Sequence, residues 1–217
     1  MGGLALTTLW TIVPVRGLAT GKSRLAPALN VAQRTALNRE LLAHTLTVVG
    51  HWCGAPERCI VVSPCMHALA FARKAGAVAV REGARAVGLN RAVRLGVARA
   101  VAQGATHVLI LPGDLPRVCA DALQALVNAA GREKHAVLAP DKSGTGTNAL
   151  LINVETGFEF AFGASSFAAH QAAAMRAGLT LSIVRHADLE YDLDTPEDLA
   201  ACSGNANIAI LTPGEAR

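Results

Sequence analysis

W-T-I-V-P-V-R-G-L-A-T-G-K-S-R-L, from Trp10 to Leu25, is the stretch whose reading decides the fold. A short apolar segment with β-branched residues ends at Pro14. A turn carrying Gly17 and Gly21 follows, and then Lys22, Ser23 and Arg24. A strand that empties into a glycine- and lysine-bearing loop is a usual way to hold phosphates, through backbone N–H groups and a cation. Near the start of a chain it fits the first nucleotide-binding loop of an α/β sheet. Pro14, Arg16, Gly17, Lys22 and Arg24 are therefore the first nucleotide-binding candidates.

The run also looks like a Walker A loop, G-x-x-x-x-G-K-[ST], and fails that test. Only three residues separate Gly17 from Gly21, and Arg16 stands where the first glycine belongs. Arginine lacks the backbone freedom which that position needs. A true P-loop runs directly into a long helix, whereas Pro27 would interrupt one here. A solvated surface turn is the plain alternative; a phosphate-binding loop of another type is the preferred reading.

The chain has 217 residues, 52% of them hydrophobic and 4% aromatic, enough for a single domain with a full core. The core is expected over about residues 9–202, with 203–217 as a mobile tail. No apolar run reaches the ~18 residues of a membrane span, and no cation precedes a hydrophobic stretch as in a signal peptide. Cys53, Cys59, Cys65, Cys119 and Cys202 form no C-x-x-C pair, which reads as buried thiols in a reducing cytoplasm. No H-x-x-x-H spacing marks a zinc site. The net charge of +4 is mild and unclustered, which argues against nucleic acid as a partner.

The distribution of charge is more informative. Arg16, Lys22, Arg24, Arg34 and Arg39 all precede the first acidic residue, Glu40. Asp188, Glu190, Asp192, Asp194, Glu197 and Asp198 crowd near the other end. A cationic and an acidic loop on one domain suggest a polyanionic small-molecule substrate and a divalent metal, against the plain reading of two solvated segments.

Strand and helix patterns alternate. Strands are expected at 9–15, 59–63, 77–81, 107–111, 136–139, 149–154 and 181–185, and helices at 31–49, 66–75, 86–103, 120–130 and 166–177. The expected fold is α/β, a Rossmann-like three-layer sandwich with a mostly parallel sheet. Ligands then gather at the carboxyl ends of the strands.

Three further segments carry chemistry. L-P-G-D-L-P puts Asp114 just beyond a buried strand, where a carboxylate commonly holds Mg²⁺ with substrate phosphates. In Y-D-L-D-T-P-E-D, Asp192 and Asp194 share one face of an extended segment and repel unless a cation lies between them. Thr195 reads there as an N-cap, Pro196 as the first helical residue and Asp198 as the capping-box partner. The loop 141–148 and the segment F-G-A-S-S before a helix offer hydroxyls and N–H groups to a small anion. His170, one turn into that helix, reaches the same anion or packs. Gly88 and Asn90 open another helix, where the amide of Asn90 either bonds a base or ribose or serves as an ordinary cap.

P-V-R-x-L-x-x-G-K-S-R-L, G-L-N-x-A, L-P-G-D-L-P, D-x-x-G-T-G-T-N-A-L, F-G-x-x-S-F-x-x-H and D-L-D-T-P-E-D-L occur in this order. Together they resemble the CofC/FbiD guanylyltransferases of coenzyme F-420 biosynthesis, from about Trp10 to Ala200. These share the MobA-like nucleotide-diphospho-sugar transferase fold. The resemblance implies transfer of GMP from GTP to 2-phospho-L-lactate, phosphoenolpyruvate or 3-phospho-D-glycerate, with release of pyrophosphate; 3-phospho-D-glycerate is the weakly favoured acceptor. It implies that Lys22 and Arg24 meet the GTP phosphates, Lys22 and Asp114 being catalytic. Asp114, Asp192 and Asp194 would hold Mg²⁺ as two ions. Thr147 or Asn148, Gly163 and Ser166 would bind the acceptor. The family often has lysine where this chain has Arg16, which keeps the charge and changes its geometry. Alanine-rich helices permit a homodimer. A cytidylyl- or sugar-nucleotide transferase of the same fold, a kinase and a non-catalytic nucleotide sensor are the competing readings.

Overall fold

β1 (Leu9–Pro14) shows why the sheet is buried on both sides: Leu9 and Val13 enter one apolar cluster, Trp10 and Ile12 another. Successive side chains point to opposite faces, so a strand without a polar side belongs inside a covered sheet. The computed structural model describes residues 8–83, 88–131 and 134–202. The other strands are β2 (Cys59–Ser63), β3 (Val78–Arg81), β4 (His107–Ile110), β5 (His135–Pro140), β6 (Thr147–Asn153) and β7 (Thr180–Ile183). They form one seven-stranded sheet of order β3-β2-β1-β4-β6-β5-β7.

β1 pairs in parallel with β2 and with β4, and β2 with β3. β6 runs antiparallel to both β4 and β5, and β7 returns parallel to β5. The mostly parallel sheet expected from the sequence is present. Its antiparallel strand has a simple cause: the loop between β5 and β6 is too short for the crossover of a dozen or more residues that parallel strands need.

The helices are α1 (Val31–Cys53), α2 (Met66–Lys74), α3 (Leu89–Val101), α4 (Ala120–Ala129), α5 (Ser166–Arg176), α6 (Ala187–Glu190) and α7 (Pro196–Cys202). One face of the sheet packs against Leu42, Leu46 and Val49 of α1, Ala68 and Ala72 of α2, and Leu123 and Leu126 of α4. The other face packs against Val93 and Ala100 of α3 and Ala173 and Ala174 of α5. Small residues set the spacing. A Cβ on Gly96 of α3 would come within 2.5 Å of Ile12 Cγ2.

A third, smaller cluster joins distant parts of the chain. Leu25, Leu37 and Leu41 pack with Tyr191, Leu193 and Cys202. It fastens the segment after Lys22 to the acidic segment before α7. The expected tail at 203–217 lies outside the described residues, as do positions 86 and 87 of the helix expected from 86; α3 itself begins at Leu89, after Gly88. Among the described residues no helix is long and apolar enough to cross a membrane. All five cysteines are free.

Candidate active site

The loop after β1 is held in place by close approaches. Val15 N–H donates to Val62 O at 2.9 Å, which carries β1 past its last ladder bond. Gly21 N–H closes the turn onto Gly17 O. A Cβ on Gly21 would sit 2.9 Å from Asn38 Nδ2, and that amide donates to Leu18 O at 2.7 Å. Lys22 then adopts left-handed backbone angles, with φ at 59°. A short 3-10 turn, Ser23–Leu25, follows instead of a long helix, and Asn30 caps α1 through a capping box with Gln33. The Walker A alternative fails in geometry as it does in sequence.

Asp114 stands four residues beyond the end of β4, next to β1 in the sheet. In the acidic segment Tyr191 and Leu193 are buried, while Asp192 and Asp194 alternate with them. The alternation expected from the sequence is present, but the two carboxylates line different cavities instead of converging on one. The Asp198 carboxylate accepts from the N–H groups of Thr195 and Asp194 and from the Thr195 hydroxyl. Burial pushes the Asp198 carboxyl up, and these hydrogen bonds outweigh it and leave it below the usual value. Asp198 therefore serves the start of α7, as its spacing implies.

Lys22 joins the two regions. Its Nζ lies 2.8 Å from Asp114 Oδ2 and 2.9 Å from Asp194 Oδ1, with the lysine side chain only 4% exposed. Burial works against the ammonium, but the two carboxylates prevail and raise its pKa above the ordinary lysine value. Arg24 is mostly exposed, 3.9 Å from the other oxygen of Asp194. Asp192 is the strained member: burial, then the Asp194 and Asp114 charges, raise its carboxyl to about 6. Carboxylates thus outnumber the ammonium. Among the described residues no group of three His, Cys, Asp or Glu side chains forms a ready metal cage. The donor set still fits a hard cation that takes one or two carboxylates and completes its shell with water and phosphate oxygens.

Pro14, Arg16, Gly17, Lys22, Asp114 and Asp194 line one cavity of about 290 Å³ at the carboxyl ends of β1 and β4. Asn38 and Leu89 line it too, and neither was singled out in the sequence. Gly88 lines a small adjoining recess, whereas Asp192 faces a separate cavity with Asp141, Lys142 and Glu190. Asn90 does different work from that expected. Its Oδ1 accepts from Phe162 N–H at 2.7 Å and its Nδ2 donates to Phe162 O at 2.9 Å. It clamps the start of α3 to the segment carrying Gly163.

Thr147 and Asn148 open β6 on opposite faces. Asn148 Nδ2 donates to Leu189 O, tying β6 to α6. The Thr147 hydroxyl meets His170 Nδ1 at 2.9 Å. Ser166 is buried, its N–H donates to Gly163 O, and Gly163 has φ at 141°, a value that favours glycine. The Phe167 N–H donates to Thr145 O, so the loop before β6 and the start of α5 are neighbours. Thr147, Gly163 and Ser166 therefore share one neighbourhood, and Asn148 turns away from it. His170 is completely buried with both ring nitrogens engaged, since Ala161 N–H donates to Nε2. It packs and pins; it is not a free anion ligand.

A model of the family described as guanylyl transferase CofC like matches residues 9–205. The chain belongs to this family. It is 42% identical over 203 residues to a phosphoenolpyruvate guanylyltransferase of Sphaerobacter thermophilus, covering 94% of this chain and 96% of that one. It is 37% identical to a 3-phospho-D-glycerate guanylyltransferase of Phenylobacterium zucineum, covering 86% of each. A crystal structure from Desulfovibrio desulfuricans G20, provisionally named a nucleotide-diphospho-sugar transferase, shares the fold with a TM-score of 0.72 at 15% identity, covering 94% of each chain. Membership in the CofC-like family makes this chain a guanylyltransferase, an enzyme of the nucleotidyltransferase type.

Proposed function

We propose that the enzyme transfers GMP from GTP to the phosphate of a phosphorylated three-carbon acid and releases pyrophosphate. The observation that carries this reading is Lys22, held between Asp114 and Asp194 on the wall of the cavity at the strand ends. A cation fixed there by carboxylates suits a triphosphate that arrives with a divalent ion.

The acceptor's phosphate oxygen would attack the α-phosphorus in line with the departing pyrophosphate. A phosphate monoester has its second pKa near ~6, so it is already largely dianionic at neutral pH. No general base is then required. The obstacle is the meeting of two polyanions, and its relief is electrostatic. Lys22 would hold the leaving pyrophosphate, with Arg24 and Arg16 at the mouth. Asp114 and Asp194 would hold Mg²⁺, which when bound neutralises phosphate charge and polarises the phosphoryl oxygens, while Asp192, on the neighbouring cavity, would add its charge from a distance. Thr147, Gly163 and Ser166 would receive the acceptor on the side of β6 that faces α5.

The relatives are named for two acceptors, phosphoenolpyruvate and 3-phospho-D-glycerate. The sequence favours the second weakly, and the higher identity falls on the first. Place in coenzyme F-420 biosynthesis belongs to the same proposal. The test is incubation with GTP, Mg²⁺ and each acid, including 2-phospho-L-lactate, in competition, read by product mass and by pyrophosphate. A guanylylated three-carbon acid with stoichiometric pyrophosphate supports the reading. GDP as the product points to a kinase, and GTP binding without turnover points to a sensor; either result overturns it.

A further inference from the structure

We propose that Glu82 selects guanine, its carboxylate receiving the N1–H and the 2-amino group of the base. This rests on the reading of the main cavity as the triphosphate site.

Glu82 follows β3 directly, its N–H donating to Ser63 O at 3.0 Å. It sits at the carboxyl edge of the sheet, as ligand-binding residues of open α/β sheets do. It is only 3% exposed, unusual for a glutamate. One oxygen, Oε1, accepts from Gly88 N–H at 2.9 Å. The other has no hydrogen-bond partner among the described residues, and no cation among them reaches ion-pair distance of the carboxylate. A buried carboxylate without a cation is costly unless donors come to it from elsewhere.

The place where they would come from is visible. Glu82 lines a recess with Pro14, Val15, Arg16, Gly88 and Leu89. Pro14, Val15, Arg16 and Leu89 also line the 290 Å³ cavity that holds Lys22 and Asp114. The recess therefore opens from the triphosphate cavity between apolar walls, Pro14 and Val15 on β1 and its extension, Leu89 and Ala92 on α3. The recess itself holds only about 20 Å³, so a flat ring would lie in the 290 Å³ cavity with its edge turned into the recess toward Glu82. Guanine presents two adjacent donors on that edge. Adenine presents an unprotonated N1 there and no amino group at C2, so the same carboxylate turns it away. A site built to hydrogen-bond a substrate group rejects analogues that lack it far more strongly than an apolar pocket can.

The decisive experiment compares nucleotides on the wild-type enzyme and on Glu82→Gln. The amide keeps an oxygen for Gly88 N–H and replaces the second oxygen by a donor. It then opposes the guanine donors and suits xanthine, which has a carbonyl at C2. For the wild-type enzyme, inosine triphosphate, which lacks the 2-amino group, should bind at least about tenfold more weakly than GTP. For Glu82→Gln the ratio of GTP to xanthosine triphosphate binding should fall by on the order of a hundredfold. Calorimetric titration with each nucleotide and Mg²⁺, without acceptor, reads both. Equal wild-type affinity for GTP and inosine triphosphate overturns the inference even if the variant does not fold. A uniform loss for all nucleotides in Glu82→Gln shows a role confined to the Gly88 contact and also overturns it. Normal GTP binding in either case leaves the guanylyl-transfer reading intact. Absence of GTP binding in the wild-type enzyme defeats that reading instead.

Discussion

Lys22 and Asp194 are 172 positions apart in the chain, and the Lys22 Nζ stands 2.9 Å from the Asp194 carboxylate. Asp114 approaches the same ammonium at 2.8 Å. Three loops from three parts of the sequence thus meet at one charge. The apolar cluster of Leu25, Leu37, Leu41, Tyr191 and Leu193 makes the meeting possible, because it anchors the residues flanking both loops. Removing a carboxylate from this group should cost the scale of one essential electrostatic element, at least ~3 kcal/mol of transition-state stabilisation, or about a hundredfold in rate. Asp114→Ala measured by pyrophosphate release at saturating GTP checks it. Turnover near the wild-type level would remove Asp114 from the chemistry.

The Lys22 ammonium already neutralises Asp114 and Asp194, the carboxylates that the proposed reading gives to a divalent ion. Mg²⁺ alone should therefore do little for the melting temperature of the wild-type protein. In Lys22→Met the carboxylates lose their partner, and Mg²⁺ alone should restore about 1 kcal/mol, or roughly 2–4 °C in Tm for a domain of this size. Thermal melts with and without MgCl₂, free of nucleotide, give the comparison. The same small response in both proteins would mean that ammonium and metal do not share a place.

Much of this arrangement can be read from the chain. Every strand expected from the sequence is found within a few residues, because the five inner strands are buried apolar runs and the half-exposed edge strands β3 and β7 still carry β-branched residues. The Thr195–Asp198 box and the alternation of Asp192 and Asp194 with buried Tyr191 and Leu193 follow from short spacings alone. What stays hidden depends on tertiary contact. The amide of Asn90 could have faced a base as easily as the Phe162 backbone, and only the fold brings Phe162 beside it. Thr147 and Asn148 are equivalent as letters; the pleat separates them, sending one to His170 and the other to Leu189. Glu82 gives no signal in V-R-E-G, because its interest lies in being buried with no cation among the described residues at ion-pair distance.

Gly96 offers a test of the packing. Alanine is the better helix former by ~1 kcal/mol, so Gly96→Ala in an exposed helix would stabilise. Here the added Cβ would meet Ile12 Cγ2 at 2.5 Å and Val62 Cγ2 at 3.2 Å, both on the sheet. Neither is the far end of a flexible side chain, so α3 must lift from β1 and β2. The expected net effect is a loss of about 1–3 kcal/mol, the usual cost of overpacking. Urea unfolding gives the value, and an unchanged or higher midpoint would show that α3 is not held this tightly.

His170 makes stability depend on pH with a definite sign. The ring has no exposed surface, and burial lowers its pKa from 6.5 to about 4. Its Nε2 accepts from Ala161 N–H, so the neutral ring carries its proton on Nδ1 and donates to Thr147. Protonating Nε2 would set two donors against each other and place a charge between the rings of Phe158 and Phe162. The unfolded chain takes up this proton below pH 6.5, while the folded protein refuses it until about pH 4. Stability that is complete above pH 6.5 is therefore lost as the pH falls through that window. The total is on the order of 3 kcal/mol at ~1.4 kcal/mol per pH unit. His107 and His135, also lowered by burial, act in the same direction. Denaturant unfolding at pH 7, 6 and 5 should show the decline, and His170→Gln should flatten it without abolishing it. An equally steep decline in the variant would assign the acid sensitivity to other groups.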